Sequence, residues 1–211
     1  MNCVLCGIGN CMRVSAPTQR SLYCCTSCGL VFVCPENRVS LEFERARYAL
    51  HSNDVDAAGY VRYMNGIANQ LSTVLFAGAR ILDFGSGENY LLTRILRERG
   101  YACDAYDPLY EQLELHCDAE AYDCIVLCES IEHIRNLPED LRLLKKLSNA
   151  RTVYYIKTQL YDTATDFATW WYAQDCTHIN FFNEQAMHSI AQKLQRTVSY
   201  CDNRNTVILA P

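Results

Sequence analysis

Residues 81–90, ILDFGSGENY, decide how this chain folds. A short apolar run carries Asp83 and ends at Phe84, Gly85 and Gly87 follow with Ser86 between them, and Glu88, Asn89 and Tyr90 lead into a periodic segment. A strand that meets a glycine turn and then a helix brings backbone close to a ligand at the C-terminal end of an open α/β sheet. The flanking residues fit. NYLLTRILRERG places Leu91, Leu92, Ile95 and Leu96 on one side of a helix that stops at Gly100, and YACDAYDP reads as a second strand ending near Asp107. Together they form a β-α-β unit.

The alternation continues outward. AYDCIVLCE reads as a strand, PEDLRLLKKLSNA as a helix opened by Pro138, RTVYYIKT as a strand and NEQAMHSIAQKL as a helix. This order predicts a mostly parallel, doubly wound α/β sheet. RTVSYC and TVILA, joined by the turn-rich DNRN, predict an antiparallel hairpin at the C-terminus. Upstream, Val61, Met64, Ile67 or Ala68, Leu71 and Leu75 fall at helical intervals, with Ser52, Asn53 and Asp54 as N-cap candidates and Gly78 past the end. His51, Asn53 and Tyr60 are placed either to cover a ligand or simply to cap and pack.

The loop and Asp107 predict a bound nucleoside. An acid at the end of the second strand, about twenty residues beyond the glycines, accepts hydrogen bonds from an unphosphorylated ribose. A dinucleotide loop needs a third glycine where Tyr90 stands, and anionic Glu88 at the helix start opposes a pyrophosphate. A cationic, phosphate-free ligand such as S-adenosylmethionine tolerates that acid, and Asp83 adds a carboxylate for an amino or sulfonium group. Asn89 accepts a positive φ almost as readily as glycine.

The first forty residues have a different chemistry. Cys3 and Cys6 in CVLCG, and Cys25 and Cys28 in CTSCG, are two C-x-x-C-G knuckles separated by eighteen residues. Two residues between thiolates let a turn aim both sulfurs at one ion, and four sulfurs complete a tetrahedral site suited to structural zinc. Buried thiols or a redox dithiol are the alternatives, and neither accounts for two pairs each followed by glycine. Cys24 could stand in for Cys25 only with less regular spacing, and Cys11 and Cys34 are spare. So small a segment buries little core, so the ion itself is expected to hold it together.

Composition narrows the function. The chain has 211 residues, half of them hydrophobic, and a net charge of −5, which disfavours a nucleic-acid partner. No apolar run approaches the roughly 20 residues of a membrane helix, and the N-terminus lacks the layout of a secretory signal. The 13 cysteines are odd in number and scattered beyond Cys34, as expected of thiols in a reducing, cytoplasmic compartment.

At ILDFGSGEN the chain resembles the class I S-adenosylmethionine-dependent methyltransferases, whose first motif is hydrophobic-hydrophobic-D/E-x-G-x-G-x-G. The match runs until Asn89 replaces the last glycine. DAYDP is similar to their second motif and YDCIVLCESIEHI to the strand-four motif with its E-H. WWYAQDCTHINFF is similar to a W-x-Y-x-x-D-x-T-H segment of an uncharacterised branch. That branch and the sugar C-methyltransferases also carry a cysteine-rich zinc module ending like CTSCGLVFV. The terminal hairpin is their usual ending, and it argues against a nicotinamide oxidoreductase.

The resemblance implies a Rossmann-like methyltransferase sheet over residues 79–211, a zinc ribbon over 1–38, and a linker with cap helices over 39–78. It implies that Gly85, Ser86 and Gly87 lie along the methionine and ribose, that Asp107 holds the ribose hydroxyls, and that Glu129 closes over the methionine side. Asp118 is matched to the third motif, where an acid meets the adenine amine. Only fifteen residues separate Asp107 from Asp123, so that sheet edge must be trimmed.

Methyl transfer needs alignment more than acid-base chemistry. Where the acceptor must lose a proton, two histidines are placed to take it: His133, just after Glu129 and Glu132, and His178, with Asp175 to orient it and Trp171 and Tyr172 as walls. The expected acceptor is a small molecule, with a sugar derivative as the candidate. The competing function is a non-catalytic zinc-ribbon module that binds RNA or protein on a degenerate fold.

Overall fold

Strand β4 (Arg80–Phe84) lies inside a six-stranded sheet because its apolar residues are buried on both faces. In this computed structural model, residues 1–16, 20–51, 58–110 and 122–211 are described, residues 49–51 without their side chains. The strand pairs in parallel with β5 (Ala102–Tyr106) on one side and β6 (Tyr122–Cys128) on the other. β7 (Ser148–Lys157) continues in parallel, β10 (Thr206–Ala210) runs antiparallel to it, and β9 (Thr197–Cys201) closes the hairpin, giving the order β5-β4-β6-β7-β10-β9. Asp202 Oδ1 fixes the hairpin turn by accepting from the backbone N–H groups of Arg204, Asn205 and Thr206. The mostly parallel sheet and its antiparallel ending are those expected from the sequence.

Alternation along the strands sorts the core into two layers. Ile81, Cys124, Val126 and Tyr155 face α2 (Ala58–Val74) and α3 (Leu91–Glu98), whose Met64, Ile67, Leu71, Leu92 and Ile95 cover them. Leu82, Phe84, Ile125, Leu127 and Ile156 face the opposite way, towards α4 (Leu137–Lys146) and α6 (Glu184–Lys193), with the single-turn α5 (Trp171–Gln174) between these two in the chain. Among the described residues the sheet ends at β5, with no strand beyond it. The N-cap candidates Ser52, Asn53 and Asp54 lie outside the described residues.

The cysteine-rich segment forms a small sheet of β1 (Cys11–Val14), β2 (Leu22–Cys25) and β3 (Val31–Val33), all antiparallel. Its fourth strand comes from far along the chain: β8 (Asn180–Phe181) pairs with β3 through Val31 with Phe181 and Phe32 with Asn180. Leu5, Leu30 and Phe32 join the α6 side of the main core, while Leu22, Val31 and Val33 pack with Phe167, Tyr172 and Phe181. Each fully buried side chain of this kind contributes about 1.5–3 kcal/mol. A metal is therefore not the sole support of this segment, contrary to the expectation from its length, because it borrows core from the larger sheet.

The charged stretch LEFERARY folds into α1 (Leu41–His51), whose Ser40 Oγ accepts the Phe43 N–H at 3.1 Å as a cap. Glu44 is buried on its inner face and receives both Nε (3.2 Å) and a terminal nitrogen (2.9 Å) of Arg135. This ion pair ties α1 across the end of the sheet.

Candidate functional site

The turn after β4 is tied to β5 by its own backbone. The N–H groups of Gly85 (2.7 Å) and Ser86 (3.1 Å) both donate to the Tyr106 carbonyl. Gly85 has φ +83°, and a Cβ there would stand 2.3 Å from Ser130 Cβ, so only glycine lets the ends of β4 and β6 approach this closely. Gly87, at φ +68°, has open space where a side chain would be. Its N–H donates to Asp107 Oδ2 at 2.9 Å, and the Leu109 N–H donates to Oδ1 at 2.9 Å. Burial raises the Asp107 carboxyl, and these two amides oppose the rise. Each oxygen keeps lone-pair capacity for another donor.

The left-handed residue that opens α3 is Tyr90 (φ 36°, ψ 46°) and not Asn89. Tyr90 is where the loop turns into helix, with its carbonyl already accepting the Arg94 N–H at 3.0 Å.

Beside this turn is a cavity of about 440 Å³, lined by Asp83, the Gly85–Gly87 turn, Asp107, Glu129, Tyr60 and His133. That size suits a small-molecule ligand. Asp83 is almost fully buried and receives the Thr93 hydroxyl at 2.8 Å. Burial pushes its carboxyl up to about 6, with the Thr93 bonds opposing and the Asp107 charge adding. Glu129 has φ +48°, a conformation that costs an ordinary residue about 1–3 kcal/mol and recurs at functional sites. Its carboxylate accepts the Tyr63 hydroxyl at 2.6 Å; burial and the neighbouring Glu132 push it up to about 7.

His133 lies in a 3₁₀ turn after β6, Ile131–His133, and its ring meets that of His178 edge-on at 4.7 Å between centroids. The Nδ1 of His133 is 3.0 Å from the Thr177 carbonyl and 2.7 Å from the Tyr48 hydroxyl, and that of His178 is 2.8 Å from the Tyr172 carbonyl. A carbonyl only accepts, so both Nδ1 atoms carry the proton and both Nε2 atoms present lone pairs. Burial pushes each imidazole down to about 4, and His133 adds to the effect on His178. Both rings are neutral at pH 7.

Asp175 does not orient His178 by a hydrogen bond. Its carboxylate accepts from the Thr177 N–H (2.9 Å) and hydroxyl (2.7 Å) and pairs with Arg47 (3.2 Å). Burial works to raise this carboxyl, but the two Thr177 bonds, His178 and the Arg47 bond together outweigh it and hold it well below the usual range. The Tyr172 carbonyl does the orienting.

At the N-terminal end the four sulfurs of Cys3, Cys6, Cys25 and Cys28 lie within 4.8 Å of one another, with Cys3–Cys28 at 3.5 Å and Cys6–Cys25 at 3.6 Å. Tetrahedral ligation at a metal–sulfur length of about 2.3 Å puts sulfurs about 3.8 Å apart, so the set fits one metal ion. Cys25, not Cys24, takes the third position, and all described cysteines are free of disulfides.

The fold thus brings Asp83, Gly85, Ser86, Gly87, Asp107, Glu129 and His133 to one cavity, with His178 behind His133. Asp118 lies outside the described residues, as do Asn53 and the His51 side chain. Sequence reasoning missed Tyr48, Tyr63, Thr93 and Ser130. Tyr63 carried a usable signal, since it sits one helical turn after Tyr60 on α2.

A mostly parallel sheet with a glycine turn and an acid at its C-terminal edge defines a Rossmann-like α/β fold. The family described as Methyltransferase domain (Methyltransf_23) matches residues 57–198, and the chain belongs to it. No curated protein matches the chain significantly. Among solved structures, a 1,6-didemethyltoxoflavin-N1-methyltransferase from Burkholderia thailandensis, with 1,6-didemethyltoxoflavin and S-adenosylhomocysteine bound, is similar at a TM-score of 0.54 and 13% identity, over 93% of this chain and 96% of that one. An O-methyltransferase family protein from the same organism gives 0.54 at 14% identity, over 79% of this chain and 62% of that one. A Haloferax volcanii complex of the Trm112 methyltransferase activator with a putative methyltransferase gives 0.51 at 12%, over 74% and 95%. At these identities the likeness shows the fold. No described helix is long and apolar enough to cross a membrane.

Proposed function

We propose that the chain is an S-adenosylmethionine-dependent methyltransferase of the cytoplasm that acts on a small molecule, with a sugar derivative as the candidate acceptor and a structural zinc ion in its ribbon. One observation carries the reading: Asp107 is held at the end of β5 by the Gly87 and Leu109 amides, beside a glycine turn and an open cavity. That geometry suits ribose hydroxyls, which donate to the lone pairs the amides leave free. Binding of S-adenosylhomocysteine by the similar toxoflavin enzyme agrees with it.

When bound, the sulfonium supplies an activated methyl group for in-line displacement by the acceptor. Gly85, Ser86 and Gly87 let backbone lie along the methionine and ribose. Asp83 and Glu129 offer carboxylates to the amino group and the positive sulfur, and Asp118 is assigned to the adenine amine. His133 and His178 bring neutral imidazoles to the acceptor end, where one of them takes a proton from a hydroxyl acceptor. Cys3, Cys6, Cys25 and Cys28 hold the zinc. By role, residues 1–38 form the ribbon, 39–78 the linker and cap helices, and 79–211 the catalytic domain.

A cofactor pocket blocked by side chains would favour a non-catalytic module on a degenerate fold, whereas among the described residues this cavity is open. Calorimetry of the full chain with S-adenosylmethionine, S-adenosylhomocysteine and NAD tests the reading. One-to-one binding of the first two without NAD is expected. Failure of both sulfur nucleosides to bind would overturn it.

A further inference from the structure

We propose that Glu132, His133 and His178 bind a divalent first-row transition-metal cation at the acceptor end of the cavity, separately from the four-cysteine cluster. One ligand atom from each lies within 4.8 Å of the other two, and His133 Nε2 is 3.9 Å from Glu132 Oε1. Bonds of about 2.1 Å at a tetrahedral ion put ligand atoms about 3.4 Å apart, so the set closes by about 0.5–1.4 Å around an ion.

Glu132 is the second and independent sign. Its residue is fully buried, and neither carboxylate oxygen has a hydrogen-bond partner among the described residues. The Thr158 and Tyr172 hydroxyls beside it share a hydrogen bond with each other at 3.0 Å, which leaves at most one hydroxyl proton for about four lone-pair directions, and the third neighbour, the Glu129 carboxyl, brings a proton only in its neutral form. Buried carboxylates left this way are rare unless they are paired or bind metal. The imidazoles are set for the same partner. Each donates Nδ1–H to a backbone carbonyl, the arrangement that orients metal-ligating histidines, and keeps its Nε2 lone pair. One base suffices for one acceptor proton, whereas two neutral imidazoles and a carboxylate make a ligand set. Nitrogen and oxygen donors select zinc, iron or manganese class ions, and three protein ligands leave positions open for other oxygens.

Of the three ligands only His133 lines the cavity, so an ion held with Glu132 and His178 would sit in the cavity wall at that point. An acceptor with a hydroxyl next to a second oxygen would chelate there, and the ion would hold the reacting oxygen and make its proton easier to remove. This role rests on the methyltransferase reading; binding of the ion does not.

The test uses the full chain with zinc already in its ribbon. Mn²⁺ is titrated and followed by electron paramagnetic resonance. One Mn²⁺ per chain is expected to bind with zinc retained, and Glu132→Gln and His178→Ala should each weaken it at least about tenfold. Equal Mn²⁺ affinity in the wild type and both variants, or none in the wild type, overturns the proposal. Spin-echo spectra of the wild type should show nitrogen couplings from two imidazoles, and their absence overturns it even where a variant does not fold. S-adenosylhomocysteine affinity is measured on the same samples. Loss of nucleoside binding with Mn²⁺ binding intact counts against the methyltransferase reading, and the reverse against the metal site.

Discussion

Alanine at Gly85 forces a conflict that the fold has no room to relieve. The new Cβ would stand 2.3 Å from Ser130 Cβ and 2.9 Å from its Oγ, where carbon atoms in contact ordinarily sit at about 3.5–4.0 Å. Both atoms are rooted in backbone, one at the end of β4 and the other at the end of β6, so strand ends must part by more than about 1 Å. Crowding of this kind costs about 1–3 kcal/mol. The left-handed conformation at φ +83° adds about 1–2 kcal/mol for any residue with a Cβ. Displacing Ser130 also breaks its 2.8 Å hydrogen bond to the Phe84 carbonyl, about 1 kcal/mol more. For a chain of this length, that total of about 3–6 kcal/mol lowers the melting temperature by about 6–24 °C. Gly87→Ala, with φ +68° but nothing within 4 Å of its Cβ, carries only the backbone cost of about 1–2 kcal/mol. Circular dichroism melts should therefore separate the two variants clearly. Adding Ser130→Gly to Gly85→Ala should recover the crowding part and leave the backbone part and the lost Ser130 hydrogen bond. Equal melting of the two glycine variants, or no recovery in the double variant, would refute the reasoning.

Other perturbations reach the remaining parts of the site. Asp107→Ala should weaken S-adenosylhomocysteine by about 10–150-fold, the loss of hydrogen bonds to a charged acceptor, and a calorimetric affinity within threefold of wild type would contradict its role. Asp83 holds its proton more tightly in the folded chain than in the unfolded one, since its carboxyl is pushed up to about 6. Its contribution is full below the unfolded value of about 4 and is lost as pH rises through about 6, a swing of about 3 kcal/mol. Asp83→Asn should remove that part of the fall in urea midpoint between pH 4.5 and 7.5, and an unchanged pH slope would refute it. Elemental analysis of the untreated chain is expected to find one zinc, and Cys28→Ser should lose it and lower the melting temperature. The main sheet should persist, because Leu5, Leu30 and Phe32 pack into its core; an unchanged zinc content would contradict the ligand assignment.

The glycine turn, the parallel sheet and the terminal hairpin were legible because each follows a local rule: strand period, turn chemistry, helix stop. The cysteine knuckles were legible for the same reason. What was hidden depends on partners distant in sequence. Strand β8 is two residues long within an aromatic run, and nothing in Asn180 or Phe181 announces a pairing with Val31 and Phe32. Asp175 was expected to orient His178, but a local turn with Thr177 captures its carboxylate. Asn89 would tolerate a positive φ, yet the residue that adopts it is Tyr90, because helix entry sets its place and propensity does not. Glu132 stood in view beside His133, yet its convergence with His178 needs a loop some forty-five residues further on.

The pairing of β3 with β8 also bears on how the protein is made. Val31 leaves the ribosome about 150 residues before Phe181, which at about 5–20 residues per second is roughly 8–30 s. Through that interval the cysteine segment has every thiol it needs to take up metal, but its third strand presents an unpaired edge, with Val31 and Val33 bare of their final cover. The four thiols can gather first on the nascent chain, and closure of the small sheet must come late, with the residues that also carry His178.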